Sequence, residues 1–203
     1  WFGNSLIVWA SLIGLILLYL AAGTWLGGRV ADRWPQPIVL LRLVAIGAFG
    51  VGLIPVVSRP VLRLASAGLN NFNAGLLGGS MAAILLLFAV PVTLLGIVTP
   101  FAIRLSLRDV EGSGEVAGRI SALSTTGSIL GSFLPVLFLI PTLGTQRTFA
   151  LLSAALLLVA LIGLLGQRQR LDALLVVLAM GLVLWLGFRP TGPLKDTPGL
   201  VYE

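Results

Sequence analysis

The chain has 203 residues, of which 58% are hydrophobic and 10% are charged, and its mean hydropathy is +1.07. Soluble domains carry about 25% charged residues, so this composition excludes an ordinary water-soluble domain and predicts a membrane protein. The net charge of +6 comes mainly from arginines between apolar stretches, a pattern that orients a protein in a lipid bilayer and makes nucleic acid an unexpected partner. Cysteine and histidine are absent, which excludes disulfides, thiolate or imidazole metal ligands and histidine acid–base catalysis.

The first predicted span covers residues 5–26, within an uncharged run that continues to Gly28. The run is longer than the roughly 20 apolar residues that a helix needs to cross the hydrocarbon core. Gly23 and Gly27 stand four residues apart and therefore share one helix face. Because glycines let helix backbones approach closely, we predict that another helix packs against Gly23 and Gly27.

A charged loop motif closes this span, with the sequence Gly27-Gly28-Arg29-Val30-Ala31-Asp32-Arg33. We single out four residues of this motif as candidate site residues: Gly28, Arg29, Asp32 and Arg33. Asp32 is expected to act as a helix N-cap or to form an ion pair with Arg29 or Arg33, a weak pair if it is exposed. The prolines that follow the motif are expected to stop the helix.

The second predicted span covers residues 38–57, and Arg42 lies one turn inside it, where its side chain can snorkel to the interface. Residues 58–74 mix arginines and asparagines with leucines. An interfacial segment or a loop is expected there rather than a crossing.

The third predicted span covers residues 78–98, with a kink expected at Pro91 and a break or bend at Pro100. The most polar loop of the chain follows it, at residues 104–119. Its carboxylates are typical of a solvated loop rather than of an acid–base pair; they are Asp109, Glu111 and Glu115.

The fourth predicted span covers residues 116–140, with a kink near Pro135, and one of its faces is rich in small and hydroxyl residues. The predicted helix-packing positions of this face are Ser124, Gly127, Ser128 and Gly131, beside Ser121 and Ser132. One interpretation is close helix packing, with the hydroxyls bonded back to the helix or across it. The other is a polar lining for a small-molecule path.

The fifth and sixth predicted spans cover residues 145–166 and 171–188, and their short link predicts antiparallel neighbours. Residues 1–189 would then be one transmembrane domain, and residues 190–203 a polar tail leading to a further domain. Six crossings place eight arginines on one side: Arg29, Arg33, Arg42, Arg104, Arg108, Arg119, Arg168 and Arg170. The other side has five basic residues: Arg59, Arg63, Arg147, Arg189 and Lys195. The positive-inside rule makes the first side cytoplasmic.

No charged residue falls in the middle of a predicted span, which argues against an ion-coupled transporter. An unwound segment between Pro91 and Pro100 is the remaining alternative for such a transporter. No strand is predicted and no glycine-rich phosphate loop follows one, so neither catalysis nor a cofactor is expected in this chain.

Two families share motifs with the chain. The loop motif resembles that of the major facilitator transporters, with a glycine followed by Ala-Asp-Arg. A longer resemblance is to the membrane region fused in front of bacterial spermidine-synthase-like (polyamine aminopropyltransferase) domains. It rests on Phe2-Gly3-Asn4-Ser5, Gly23-Thr24-Trp25-Leu26-Gly27-Gly28-Arg29, Thr99-Pro100-Phe101-Ala102-Ile103-Arg104, Gly118-Arg119-Ile120-Ser121-Ala122-Leu123-Ser124-Thr125-Thr126-Gly127-Ser128-Ile129-Leu130-Gly131-Ser132-Phe133 and Ile140-Pro141-Thr142-Leu143-Gly144-Thr145. The second resemblance implies one more helix before Phe2, seven in all, and carries over no catalytic residue.

These observations lead to one expectation and two alternatives. The expectation is an all-α polytopic membrane domain of a spermidine-synthase-like protein in the bacterial plasma membrane, acting as an anchor or scaffold. The alternatives are a structural accessory subunit that contacts other membrane subunits, and a reduced facilitator-type transporter. Because the chain begins at Trp1 without a methionine and ends at Glu203 as a polar segment starts, a longer polypeptide is expected. Charge bias places Glu203 outside the cell, whereas an active synthase domain would require it inside.

Overall fold

The computed structural model describes residues 6–69, 76–107 and 113–189 of the chain. Within these ranges the secondary structure is helical, without strands. Its elements are α1 (Leu6–Arg33), α2 (Pro37–Leu69), α3 (Leu76–Gly96), α4 (Val98–Ser106), α5 (Ser113–Leu134), a π-helical segment (Pro135–Leu139), α6 (Ile140–Leu143), α7 (Thr145–Gly166) and α8 (Arg170–Phe188). Among the described residues, six helical stretches are long and apolar enough to cross a membrane, which confirms the all-α polytopic bundle.

Helix α2 continues well beyond the predicted second span, from Pro37 to Leu69, through the prolines at positions 55 and 60. Residues 58–69, which were expected in an interfacial segment or a loop, are thus helical. Transmembrane helices tolerate proline because neighbouring groups satisfy the backbone atoms that it frees. The rest of that segment, residues 70–74, lies outside the described ranges, as do Asp109, Glu111 and the polar tail 190–203.

The third span is interrupted at Ile97 rather than at Pro100. Helix α3 ends at Gly96 and α4 starts at Val98, while the amide of Ile97 donates to Leu94 O at 3.3 Å in a tightened turn. Proline has no N–H and its ring collides with the carbonyl four residues earlier, which for Pro100 is that of Gly96. The break therefore falls one turn before the proline that causes it.

The fourth span runs without interruption from Ser113 to Leu143, and the kink predicted near Pro135 takes the form of the π-helical segment. There the amide of Ile140 donates to Pro135 O, five residues back instead of four. Pro135 has no N–H group to donate to the preceding turn. The wider π-helical turn can therefore shift the hydrogen-bonding register here without leaving a backbone N–H group unpaired.

The packed body of the molecule is a row of helices in the order α1, α3, α2, α7 and α8, in which each packs on the next. One core cluster joins α2, α7 and α8 around Leu157, Leu164 and Val183. A second joins α1 to the α3–α4 junction around Ala31, Ile97 and Phe101. Helix α5 lies outside this row: it touches α4, and its continuation through the π-helical segment and α6 touches α7.

Helices α7 and α8 pack side by side in opposite directions, as their short link predicted. At the turn, Arg168 adopts φ = +56° and the amide of Gln169 donates to Leu164 O at 3.0 Å. At the far end of the pair, Gln146 Nε2 near the start of α7 donates to Leu186 O near the end of α8, at 2.9 Å. Arg170 and Phe188 therefore lie at opposite ends of the bundle.

Candidate functional site

Gly23 and Gly27 lie on the face of α1 that packs against the α3–α4 junction. A β-carbon at position 23 would collide with Thr93 O and lie 2.9 Å from the α-carbon of Gly96. At position 27 it would lie 2.8 Å from the α-carbon of Ile97. The absent side chains thus allow the backbones of these helices to approach each other closely.

The loop motif is helical, because α1 continues through Arg33, and Asp32 pairs with neither of its expected partners. Instead Arg104 Nε on α4 donates to Asp32 Oδ1 at 3.0 Å. Arg29 stacks over the Trp25 ring, 3.5 Å from its centroid, and Arg33 stacks over Trp34 at 5.0 Å. The expectation that Asp32 is an N-cap or pairs with Arg29 or Arg33 was wrong, because stacking directs both guanidinium groups elsewhere. Gly28 adjoins open space.

Arg42 does more than reach the interface, because it joins α2 to α8. Its Nε and Nη2 atoms both donate to Asp172 Oδ2, at 2.9 and 2.7 Å. The Asp172 side chain is 20% exposed, whereas that of Asp32 in the other ion pair is 74% exposed. The two pairs therefore differ in how strongly water screens them.

We expect Asp172→Asn to lower the free energy of unfolding by about 1 kcal/mol, and Asp32→Asn to lower it by less than about 0.5 kcal/mol. The reason is that Asp172 accepts two bonds in a largely covered position, whereas Asp32 is open to water. Chemical unfolding of both variants in one detergent provides the measurement. Equal losses would show that exposure does not set the strength of these pairs.

The hydroxyl-rich face of α5 makes no contact with the rest of the described chain. Every residue from 121 to 134 is exposed. A β-carbon at Gly127 or Gly131 would have no atom within 4 Å, so the packing partner predicted for these glycines is not among the described residues.

Four hydroxyls of α5 bond back to carbonyls of the helix itself. Ser128 donates to Ser124 O at 2.9 Å, and Ser132 and Thr125 bond back to carbonyls in the same way. Such bonds leave the face with little remaining polarity toward its surroundings. What the face presents is a shallow groove of small residues, Ser124, Gly127, Ser128 and Gly131.

A polar path between the third and fourth predicted spans would need their helices to enclose a cavity. In the part of the chain that the structure describes, α3 and α5 do not touch each other. Arg104 lies in the last turn of α4, and Glu115 is exposed in the first turn of α5. The described helices thus do not form the arrangement that would favour a transporter.

Comparison with protein-family models, with curated proteins and with solved structures finds no match to this chain. The two resemblances described above therefore depend on their motifs alone. The site residues predicted from the sequence fall at two places in the structure: the contact of α1 with α3 and α4, and the open face of α5.

Proposed function

We propose that this chain is a membrane scaffold without catalysis of its own, and that α5 contacts a transmembrane helix of another membrane subunit. The observation that carries this proposal is that the middle of α5 is not covered by any other described helix. Residues 121–134 are exposed on all sides, although α5 contacts α4 and its continuation through the π-helical segment and α6 contacts α7.

Helix association inside a bilayer depends on close packing, because lipid tails are as apolar as leucine side chains. Gly127 and Gly131 form a small-xxx-small pattern that permits close approach, and Ser124 and Ser128 extend the same groove. Since the hydroxyls of Ser128 and Ser132 are already bonded to the helix, a partner helix need not satisfy them. Van der Waals contact alone would hold such a partner, which suits an ordinary apolar transmembrane helix.

Leucine at positions 127 and 131 would fill this groove, and we expect the double variant Gly127→Leu/Gly131→Leu to lose the partner subunit. The matched control is Gly118→Leu on the same helix. Position 118 is nine residues before position 127, about two and a half turns, and so lies on the opposite face. Affinity purification of the tagged chain from native membranes, followed by quantitative mass spectrometry, measures the partner's recovery. Equal recovery with both variants contradicts the proposal, as does a partner that proves to be only a second copy of this chain.

The same double variant is expected to leave the isolated chain as stable as the parent, or slightly more stable. Leucine is a better helix former than glycine by up to about 1 kcal/mol, and neither site touches another described residue. Thermal unfolding in detergent tests this expectation. A large loss of stability would mean that α5 packs within its own chain, leaving no open face for a partner.

We further propose that this scaffold is the membrane domain of a spermidine-synthase-like protein of the bacterial plasma membrane. What supports this is that two of the shared motifs meet, because a β-carbon at Gly27 would lie 2.8 Å from Cγ of Pro100. The full-length reading frame tests the proposal. A frame without an aminopropyltransferase-like domain after Glu203 would contradict it.

A further inference from the structure

The end of α1 carries two guanidinium groups on one face of the helix. Arg29 and Arg33 stand four residues apart, so their side chains project on the same side. Both are exposed, and each lies over an exposed indole ring, that of Trp25 or Trp34. Tryptophan at a span end marks the depth of the lipid headgroups.

The carboxylate nearest in sequence does not neutralise this pair of arginines, because Asp32 is bound by Arg104 on α4. Among the described residues, no carboxylate lies within 4.0 Å of either Arg29 or Arg33. Like charges four residues apart on a helix repel each other. An anion bound by the two side chains would relieve that repulsion.

Phosphate is the anion that suits this geometry. A guanidinium group stacked on an indole ring keeps its N–H edge free, and that edge can donate two parallel hydrogen bonds to phosphate oxygens. Directly below the arginines, Trp25 and Leu26 form an exposed apolar surface that would lie against acyl chains. A phosphate that carries acyl chains thus fits better than a free one.

We propose that Arg29 and Arg33, supported by Trp25 and Trp34, bind the phosphate of an anionic phospholipid on the arginine-rich side of the membrane. This site is distinct from the α5 face, and it requires no partner subunit. It would give the bundle a fixed lipid at the α1–α2 corner in addition to the general attraction between basic residues and the leaflet.

Native mass spectrometry of the intact purified protein in detergent tests the proposal, with phosphatidylglycerol and phosphatidylcholine titrated separately. We expect bound phosphatidylglycerol on the parent chain, and an apparent Kd about tenfold higher or more for Arg29→Gln/Arg33→Gln. The matched control is Arg189→Gln, because Arg189 also stacks over a tryptophan, Trp185, at the opposite end of the bundle. That control should bind phosphatidylglycerol as the parent does.

A second variant separates a phosphate clamp from diffuse charge and keeps the test decisive if the glutamine variant unfolds. Arg29→Lys/Arg33→Lys keeps both charges but loses the planar donor edge, so it should bind less phosphatidylglycerol than the parent. Lysine binding equal to arginine binding overturns the proposal, and so does equal loss in the Arg189 control. Displacement of the lipid by millimolar inorganic phosphate would assign the site to free phosphate and would also overturn it.

Discussion

Gly27→Ala is expected to lower the free energy of unfolding by about 1–3 kcal/mol, whereas Gly28→Ala at the next position should raise it by about 0.5–1 kcal/mol. The added methyl group at position 27 would lie 2.8 Å from the α-carbon of Ile97 and could fit only if α1 moved away from α4. At position 28 the same group would meet no atom of a described residue within 4 Å, so only the gain in helix propensity remains. Chemical or thermal unfolding of the purified variants in detergent measures both changes.

Gly23→Ala provides an independent check on the same helix face, because its methyl group would collide with Thr93 O. We expect it to destabilise the chain as Gly27→Ala does. If the variants at positions 23, 27 and 28 all have the same free energy of unfolding as the parent, α1 does not approach the α3–α4 junction closely.

The sequence could predict the packing face of α1 but not what packs there. Two glycines four residues apart are sufficient to indicate close approach of a helix, since the pattern is local. The segment that packs there is the break between α3 and α4 at Ile97. The position of this break depends on Pro100, three residues later. Gly27 contacts both the break, at Ile97, and the proline that follows it, Pro100.

The same local pattern has a different outcome on α5. Gly127 and Gly131 repeat the spacing of Gly23 and Gly27, yet no described residue lies within 4 Å of a β-carbon at either position. A sequence pattern states that a helix can be approached closely, but not whether the approaching helix belongs to the same chain. That distinction depends on which helices the tertiary arrangement leaves available.

The ion pairs were missed for a related reason. Asp32 and Arg104 are 72 residues apart, and Arg42 and Asp172 are 130 residues apart, whereas sequence reasoning sought partners within one loop. The usable signal was topological, because all four residues fall at span ends on the predicted arginine-rich side. Acidic residues at such ends can be matched to arginines of other helices that end on the same side.

Topology also determines which side the C-terminal tail occupies. The arginine-rich side includes the α1–α2 link and the α7–α8 turn, and Phe188 lies at the other end of the bundle. Helix α8 is 19 residues long, about 28 Å at 1.5 Å per residue, and so just spans a hydrocarbon core. Arg189 stacks over Trp185 with its guanidinium 3.2 Å from the ring centroid, which suits a span end at the interface. If α8 crosses, the proposed domain after Glu203 would lie outside and have no access to a nucleotide-derived aminopropyl donor made in the cytoplasm.

Single cysteines at Gln36, Thr145 and Thr197 are expected to give an all-or-none labelling pattern in intact cells, because the chain has no cysteine of its own. A membrane-impermeant maleimide should label Thr145→Cys and Thr197→Cys directly, and Gln36→Cys only after lysis. Gln36 lies in the arginine-rich α1–α2 link, and an odd number of crossings separates it from Thr145 at the start of α7. Helices α7 and α8 then return the chain to the side of Thr145.

Labelling of Gln36→Cys in intact cells would reverse the orientation that the arginine bias predicts. Protection of Thr197→Cys alone would show that α8 does not cross, and the tail could then enter an active cytoplasmic synthase domain.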